Sequence, residues 1–310
     1  MKLLAGEVGV LAADSVGRII ANTDRYLDRA TLTVDAASLR DVWVQLTVGG
    51  WDRLMLQAED DGAGADLVDL LSVAETWGRY LVALPFLETV VLRRWTSNDE
   101  ALTGRPLTGL LRNGIAPFAC EPGVVTLTGV KPPRASERAG ERAERDAFAP
   151  SLPLGIIDEQ TDLPTQCTRE LNVLSVATAV GAASMALART VEYAKNREAF
   201  GRTIGHFQAV KHRLANMHVD LELARTAVLW AAQDASSGAR PLHSAVTRAQ
   251  RIAAGAIQLH GGTGFTWDAA VHRYMRHVLA VSKLLKDTPA IDGGAQLTLS
   301  TVAEEHSDID

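Results

Sequence analysis

Two cysteines, Cys120 and Cys167, in 310 residues are too few for a disulfide framework. No positively charged opening segment with a long apolar run begins the sequence, and no unbroken apolar stretch approaches a membrane span. The expectation is a cytoplasmic protein with reduced thiols and no membrane partner. Positive charge is not in excess, since 31 Lys and Arg stand against 37 Asp and Glu, a net −6 that argues against nucleic acid as a partner. His, Cys, Asp and Glu nowhere fall at metal-ligand spacing, and no Ser/His/Asp set forms a recognisable nucleophilic arrangement. What the chain does have is apolar residues, 47% of the total, enough for a sizeable core divided among two or three subdomains.

The expected fold class is mainly α. Residues 1–103 read as an N-terminal helical domain of helices with short connections, for example from Leu67 to Trp95, where Leu70, Ala74, Trp77 and Leu81 recur at helical spacing. The Gly- and Asp-rich run Asp60–Asp66 is a loop, and Asp66 is the expected N-cap of the helix after it. Residues 104–160 read as a reduced middle β segment, with Gly123–Val130 the clearest strand run between Pro122 and Pro132. Within it, Arg134–Asp146 alternates in charge without large apolar residues, the pattern of a solvated loop or exposed helical turn.

Residues 161–300 read as a C-terminal four-helix bundle. Val210, Leu214, Met217, Leu221, Ala224, Val228 and Ala231 recur at alternating steps of four and three, an antiparallel seam. Ser236–Pro241 breaks that helix, Leu242, Val246, Ala249 and Ala253 mark the next, and a last helix is expected from Ala269 to Lys286. Residues 301–310 form an acidic tail expected to be loose.

Two segments of this half carry the chemistry, Tyr193–Gln208 and Gln258–Phe265. The Arg197 guanidinium can make paired, charge-assisted hydrogen bonds to phosphate oxygens. Gly261, Gly262 and Gly264 permit close backbone approach and leave amide donors for a phosphate, with the Gln258 amide one helical turn earlier. The two segments, in this order and separation, resemble the C-terminal helical domain of acyl-CoA dehydrogenases; Phe265 and Arg276 match too. The runs Glu75–Leu81 and Ala83–Leu87 resemble that family's N-terminal domain. The resemblance implies FAD as cofactor and an acyl-CoA thioester as substrate. It implies cofactor-binding roles for Arg197, Phe200, Gln208, Gln258, Gly261 and Gly262. In the family's dimers of dimers these positions reach the FAD of the neighbouring protomer.

The family's proton acceptor is missing. One of its two alternative positions lies twenty-six residues before the arginine, at Leu171, and the other twenty-seven after the glutamine, at Leu285. Leucine cannot take a Cα proton. Glu170 is nearest, but one residue along a helix turns a side chain by roughly 100°; it also reads as a first-turn residue favoured by the helix dipole. The family's Glu-Gly-Thr segment is replaced by Leu284–Thr288, and no flavin-covering motif stands in the middle segment. His206, His212 and His260 read as surface or bundle residues.

With no catalytic residue of its own, the chain resembles the short non-catalytic subunit of actinobacterial α2β2 heterotetrameric dehydrogenases that act on steroids. This implies a catalytic acyl-CoA dehydrogenase subunit as partner, steroid-CoA as substrate, and an electron-transfer flavoprotein as electron acceptor. Two alternatives stand beside it: a self-sufficient homo-oligomeric dehydrogenase using Glu170 as base, and a flavin-free structural helical partner.

Overall fold

The computed structural model describes residues 5–21, 36–96, 102–109, 111, 114–121, 123–128, 134–135, 144–146, 148–156, 163–266 and 269–285. The tail at 301–310 and Lys286 lie outside them.

Four helices come first: α1 (Glu7–Ile20), α2 (Ala36–Val48), α3 (Leu67–Tyr80) and α4 (Phe86–Arg93). Asp66 caps α3 as its sequence predicts. Its carboxylate accepts from the Asp69 N–H at 2.9 Å, and Asp69 returns a bond to the Asp66 N–H at 3.3 Å. The same buried Asp69 also accepts from the Gly6 N–H at 2.6 Å, so one side chain fixes the starts of α1 and α3 together. From Leu67 to Trp95 the expected helices with a short connection are α3 and α4, and the first of them ends at Leu81, the last of the four apolar residues at helical spacing. Leu81 turns left-handed (φ 54°) and donates its N–H to the Trp77 carbonyl. Trp77 Nε1 then holds the Val82 carbonyl at 3.1 Å while its ring stacks on Phe86 at 4.9 Å, which sets the start of α4.

The middle segment forms two small sheets. In one, β1 (Leu107–Gly109) runs parallel to β3 (Val125–Thr128), and β3 pairs antiparallel with β4 (Arg134–Ala135). In the other, β6 (Leu154–Ile156) lies antiparallel between β2 (Ile115–Pro117) and β5 (Glu144–Asp146). The charged run therefore differs from the expected loop: each of its ends is an edge strand, β4 on one sheet and β5 on the other. Charged residues suit sheet edges because they discourage further pairing. Residues 136–143 lie outside the described set.

The second half is α5 (Thr165–Asn196), α6 (Gln208–Gln233), α7 (Arg240–His260) and α8 (His272–Leu285). α6 buries Met217, Leu221, Ala224, Val228 and Ala231 of the predicted seam, while Val210 and Leu214 are half-buried. α7 opens with Pro241 in its first turn, where a missing N–H costs nothing. α8 starts three residues later than Ala269, after Ala270 adopts φ 53°.

α5 is the axle of the molecule. By length and composition it could cross a membrane, with a mean hydropathy of 1.7 over its most apolar stretch, yet 83% of that stretch is buried inside the protein. It packs against α3, α6, α7 and α8, and a helix apolar all round is a core helix when others surround it. Its closest neighbour is α3, and the crossing is made by reciprocal glycines. A Cβ on Gly78 would stand 1.9 Å from the Thr178 carbonyl oxygen, and one on Gly181 would stand 2.0 Å from that of Glu75. Arg225 of α6 clamps the same crossing, its Nε 3.2 and 3.1 Å from the two Glu75 carboxylate oxygens.

Because the obstacle at each glycine is backbone, the helices must separate to admit a methyl group. Gly78→Ala and Gly181→Ala are each expected to lower unfolding free energy by about 2 kcal/mol or more in urea titrations. Gly262→Ala, where a Cβ meets nothing within 4 Å, is expected to leave it unchanged.

Candidate functional site

α5 ends where Arg197 turns extended (φ −77°, ψ 120°), its N–H held by the Tyr193 carbonyl at 2.8 Å. A two-residue hairpin follows, β7 (Glu198–Ala199) and β8 (Arg202–Thr203) around Phe200 and Gly201. Both turn residues have positive φ, 53° and 77°, as a hairpin of this length favours. Glycine takes that conformation freely; a bulky phenylalanine is strained in it, a state found where surroundings or function demand it. The outcome is a ring 94% exposed. The Arg197 carbonyl accepts from the Ile204 N–H at 2.7 Å, so the hairpin closes back onto the helix end. Phe207 lies edge-on to Phe200 at 6.4 Å under the Arg202 guanidinium, and Gln208 opens α6.

The second segment lies beside the first. α7 ends at His260, and Gly261 reverses the chain with φ 61°, ψ −140° before a 3-10 turn over Gly261–Phe265. The His260 ring stacks on Tyr193 of α5 at 4.2 Å. This contact puts Arg197 and the glycine turn at one end of the bundle. Arg197, Phe200, Gln208, Gln258, Gly261 and Gly262 all face solvent there. Among the described residues, no hydrogen-bonding or charged side chain engages Arg197, Gln208 or Gln258, whereas Arg276 lies over the Phe148 ring of the middle segment at 5.1 Å.

The three glycines divide their labour differently from the sequence reading. The Gly261 N–H is not left for a phosphate: it donates to the Gln258 carbonyl and closes the helix. Gly264 is buried, and a Cβ there would come within 2.6 Å of the Ile257 oxygen, so it serves packing. At Gly261 and Gly262 a Cβ would meet nothing within 4 Å, leaving the backbone open to approach. Of the three histidines, His206 and His212 are exposed and His260 is buried in the bundle end.

Leu171 and Leu285, which stand where the resemblance expects a proton acceptor, are 7% and 1% exposed. Leu171 lines a cavity of about 20 Å3 between α3, α4, α5 and α8, walled also by Trp77, Leu87, Phe118 and Leu174. That is room for about one water molecule and none for an acyl chain. Glu170 does not line it. This residue sits in the second turn of α5 rather than the first, 2% exposed, ion-paired to Arg94 and accepting from Gln166 Nε2 at 2.8 Å. Its partner is thus a guanidinium, not the helix dipole.

Two titratable groups in the cavity wall escaped the sequence reading. Glu88 is partly buried, and desolvation pushes its carboxyl from 4.5 up to about 7. His277 is 3% exposed, with Nδ1 2.9 Å from Ser151 Oγ and Nε2 2.9 Å from Thr178 Oγ1. Thr178 spends its single hydroxyl hydrogen on the Ser175 carbonyl at 2.7 Å, so Nε2 donates to Thr178 and Nδ1 accepts from Ser151. Burial pushes this imidazole down to about 4, and it stays neutral as a pin between the middle segment, α5 and α8. Glu88 falls at a helical position whose periodicity suggests an ordinary surface residue, and only the tertiary fold encloses it.

Residues 170–284 match the profile of the acyl-CoA dehydrogenase C-terminal domain. The acyl-CoA dehydrogenase IpdE2 of Mycobacterium tuberculosis is 29% identical over 279 residues, 83% of this chain and 86% of that one. The probable acyl-CoA dehydrogenase FadE25 of the same species is 41% identical over 108 residues, 32% of this chain and 28% of that one. Among solved structures, the Tcur3481–Tcur3483 steroid ACAD variant overlays with a TM-score of 0.72 at 22% identity, covering 90% of this chain and 94% of that one. The ChsE4–ChsE5 complex from Mycobacterium tuberculosis gives 0.71 at 21%, covering 92% and 95%. Butyryl-CoA dehydrogenase from Megasphaera elsdenii gives 0.69 at 17%, covering 91% and 95%. Residues 170–284 are thus a C-terminal domain of the acyl-CoA dehydrogenase type, and about nine-tenths of the chain shares the fold of the solved structures.

Proposed function

We propose that the chain is a non-catalytic subunit of an FAD-dependent acyl-CoA dehydrogenase that introduces an α,β double bond into an acyl-CoA thioester. In an α2β2 assembly it lends Arg197, Phe200, Gln208, Gln258, Gly261 and Gly262 to a cofactor seated mainly in a catalytic partner. One observation carries this reading: a solvent-facing set of phosphate-suited groups at one bundle end coexists with leucines at both proton-acceptor positions. The residues present fit FAD, because among the described residues no acid pairs with the Arg197 guanidinium and the glycine turn has no side chain to fend off a pyrophosphate. FAD, when bound, supplies the hydride acceptor of the reaction. This chain's part is to hold the dinucleotide by charge and by backbone approach, while the partner supplies the carboxylate that takes the proton. Two of the neighbouring structures are named as pairs of chains, and one of those as a steroid ACAD; this supports a paired assembly and a steroid-CoA substrate. Electrons then leave through an electron-transfer flavoprotein.

A second reading rests on Glu88. A carboxyl raised to about 7 in the wall that also contains Leu171 has the proton affinity of a general base, which favours a self-sufficient dehydrogenase with a displaced base. The cavity's small volume, with no room for an acyl chain, weighs against it.

Produced alone, the chain is expected to be flavin-poor; co-expressed with its partner, identified by mass spectrometry of what co-purifies, it is expected to give a yellow, active complex. Arg197→Ala in that complex is expected to weaken FAD roughly 10- to 100-fold, the value of a charge-assisted bond, read by flavin titration. An active, fully flavinated homotetramer of this chain would overturn the proposal, and an Arg197→Ala complex with unchanged flavin content would favour a flavin-free scaffold.

Glu88→Gln separates the two readings by activity and by pH. As a subunit, the variant leaves turnover of the complex intact; as a self-sufficient enzyme, it loses turnover. Since the folded carboxyl binds its proton more tightly than the unfolded one, ionised Glu88 penalises the fold fully above about 7, and the penalty fades as pH falls toward 4.5. Glu88→Gln is therefore expected to stabilise the protein by about 1–3 kcal/mol at pH 8 and not at pH 4.5, measured by urea unfolding at both.

A further inference from the structure

We propose that Tyr193 and His260 are positioning residues: their stacked rings form a strut that fixes the spacing between Arg197 and the Gly261–Gly262 turn, and hence the match of both to one pyrophosphate. The proposal rests on the flavin-binding role given above. Arg197 and the glycine turn are carried on the ends of two different helices, and a pyrophosphate is short, so both must be held at one separation for it to bridge them. Flexible side chains between the helix ends would leave that separation free to vary. Two rigid rings do not.

The strut is locked on both sides. Tyr193 stands one turn before Arg197 and accepts its N–H at 2.8 Å, so the ring that meets α7 and the backbone that presents the guanidinium belong to the same helical turn. On the α7 side His260 is 7% exposed, and its Nδ1 lies 2.8 Å from the Ala256 carbonyl. A carbonyl can only accept, so Nδ1 carries the hydrogen and the imidazole plane is set by the backbone of α7. The rings face one another at 4.2 Å with 23° between their planes. The last carbonyl of α7, that of His260, accepts from Thr263 Oγ1 at 2.6 Å and from the Tyr193 hydroxyl at 3.5 Å, and the Tyr193 hydroxyl is also 3.5 Å from Thr263 Oγ1. The tyrosine thus touches both the helix end and the turn beyond it, while Gly261 and Gly262 stay open on the outer side.

The test uses the co-expressed complex, with FAD itself as titrant and the flavin absorbance and visible circular dichroism as readouts. Tyr193→Leu is expected to weaken FAD about tenfold or more and to alter the flavin dichroism, with subunit assembly by size exclusion unchanged. Tyr193→Phe, which keeps the ring and loses only the long hydroxyl contacts, is expected to restore affinity to within about twofold; a general packing role would not show this rescue selectively in flavin binding. Arg197→Ala is measured alongside. Wild-type affinity in Tyr193→Leu with loss in Arg197→Ala would overturn the strut and leave the binding role standing. Wild-type affinity in both would overturn the two together. If Tyr193→Leu does not assemble, His260→Leu removes the other ring and is read by the same outcomes.

Discussion

The contact on which the rest of the molecule depends is backbone against backbone, where α3 crosses α5 at Gly78 and Gly181. With no side chain between them, the two helices approach until a carbonyl oxygen of each fills the place of the other's missing Cβ. This crossing ties the N-terminal helices to the bundle, and Arg225 bridging to Glu75 closes it from α6. A half-buried ion pair adds little to stability by itself, but it leaves no freedom in how α6 lies across the crossing. The direction of α5, fixed here, decides where Arg197 emerges.

From that axle the protein has two unlike ends. Around Leu171 the space is packed with Trp77, Leu87, Phe118 and Leu174, and His277 is held between Ser151 and Thr178. At the far end of α5, among the described residues, no hydrogen-bonding or charged side chain engages Arg197, Gln208 or Gln258, and an aromatic ring is held outward in a conformation that costs energy to maintain. The two ends thus differ in how far their side chains are packed together.

Much of this was legible in the sequence where local chemistry decides the outcome. Asp66 caps α3 because a carboxylate at that point satisfies a free helix N–H in any context, and the α6 seam from Met217 to Ala231 follows helical period. The two motifs could be placed at helix ends by their glycines. What escaped depends on distant partners. The break at Leu81 is enforced by Trp77 reaching Val82 and Phe86, which no local propensity encodes. The charged run reads as loop for another reason: β4 and β5 are only two and three residues long, too short to show a strand's alternation, although their mates β3 and β6 lie within about a dozen residues. Glu170 looked like a dipole partner until Arg94, seventy-six positions earlier, came to meet it. Glu88, on α4, became unusual only when α3, α5 and α8 packed beside it.

The burial of α5 has a further consequence during synthesis. A ribosome releases this helix before α6, α7 and α8, the three that cover most of it, while of its neighbours α3 and, to a lesser extent, α4 are already available. For roughly the next hundred residues of translation, an 18-residue stretch as greasy as a bilayer-crossing segment must be kept from water and from other nascent chains. The glycine-lined groove of α3 is the first shelter it meets, so the docking that organises the finished molecule is also the one that must form earliest.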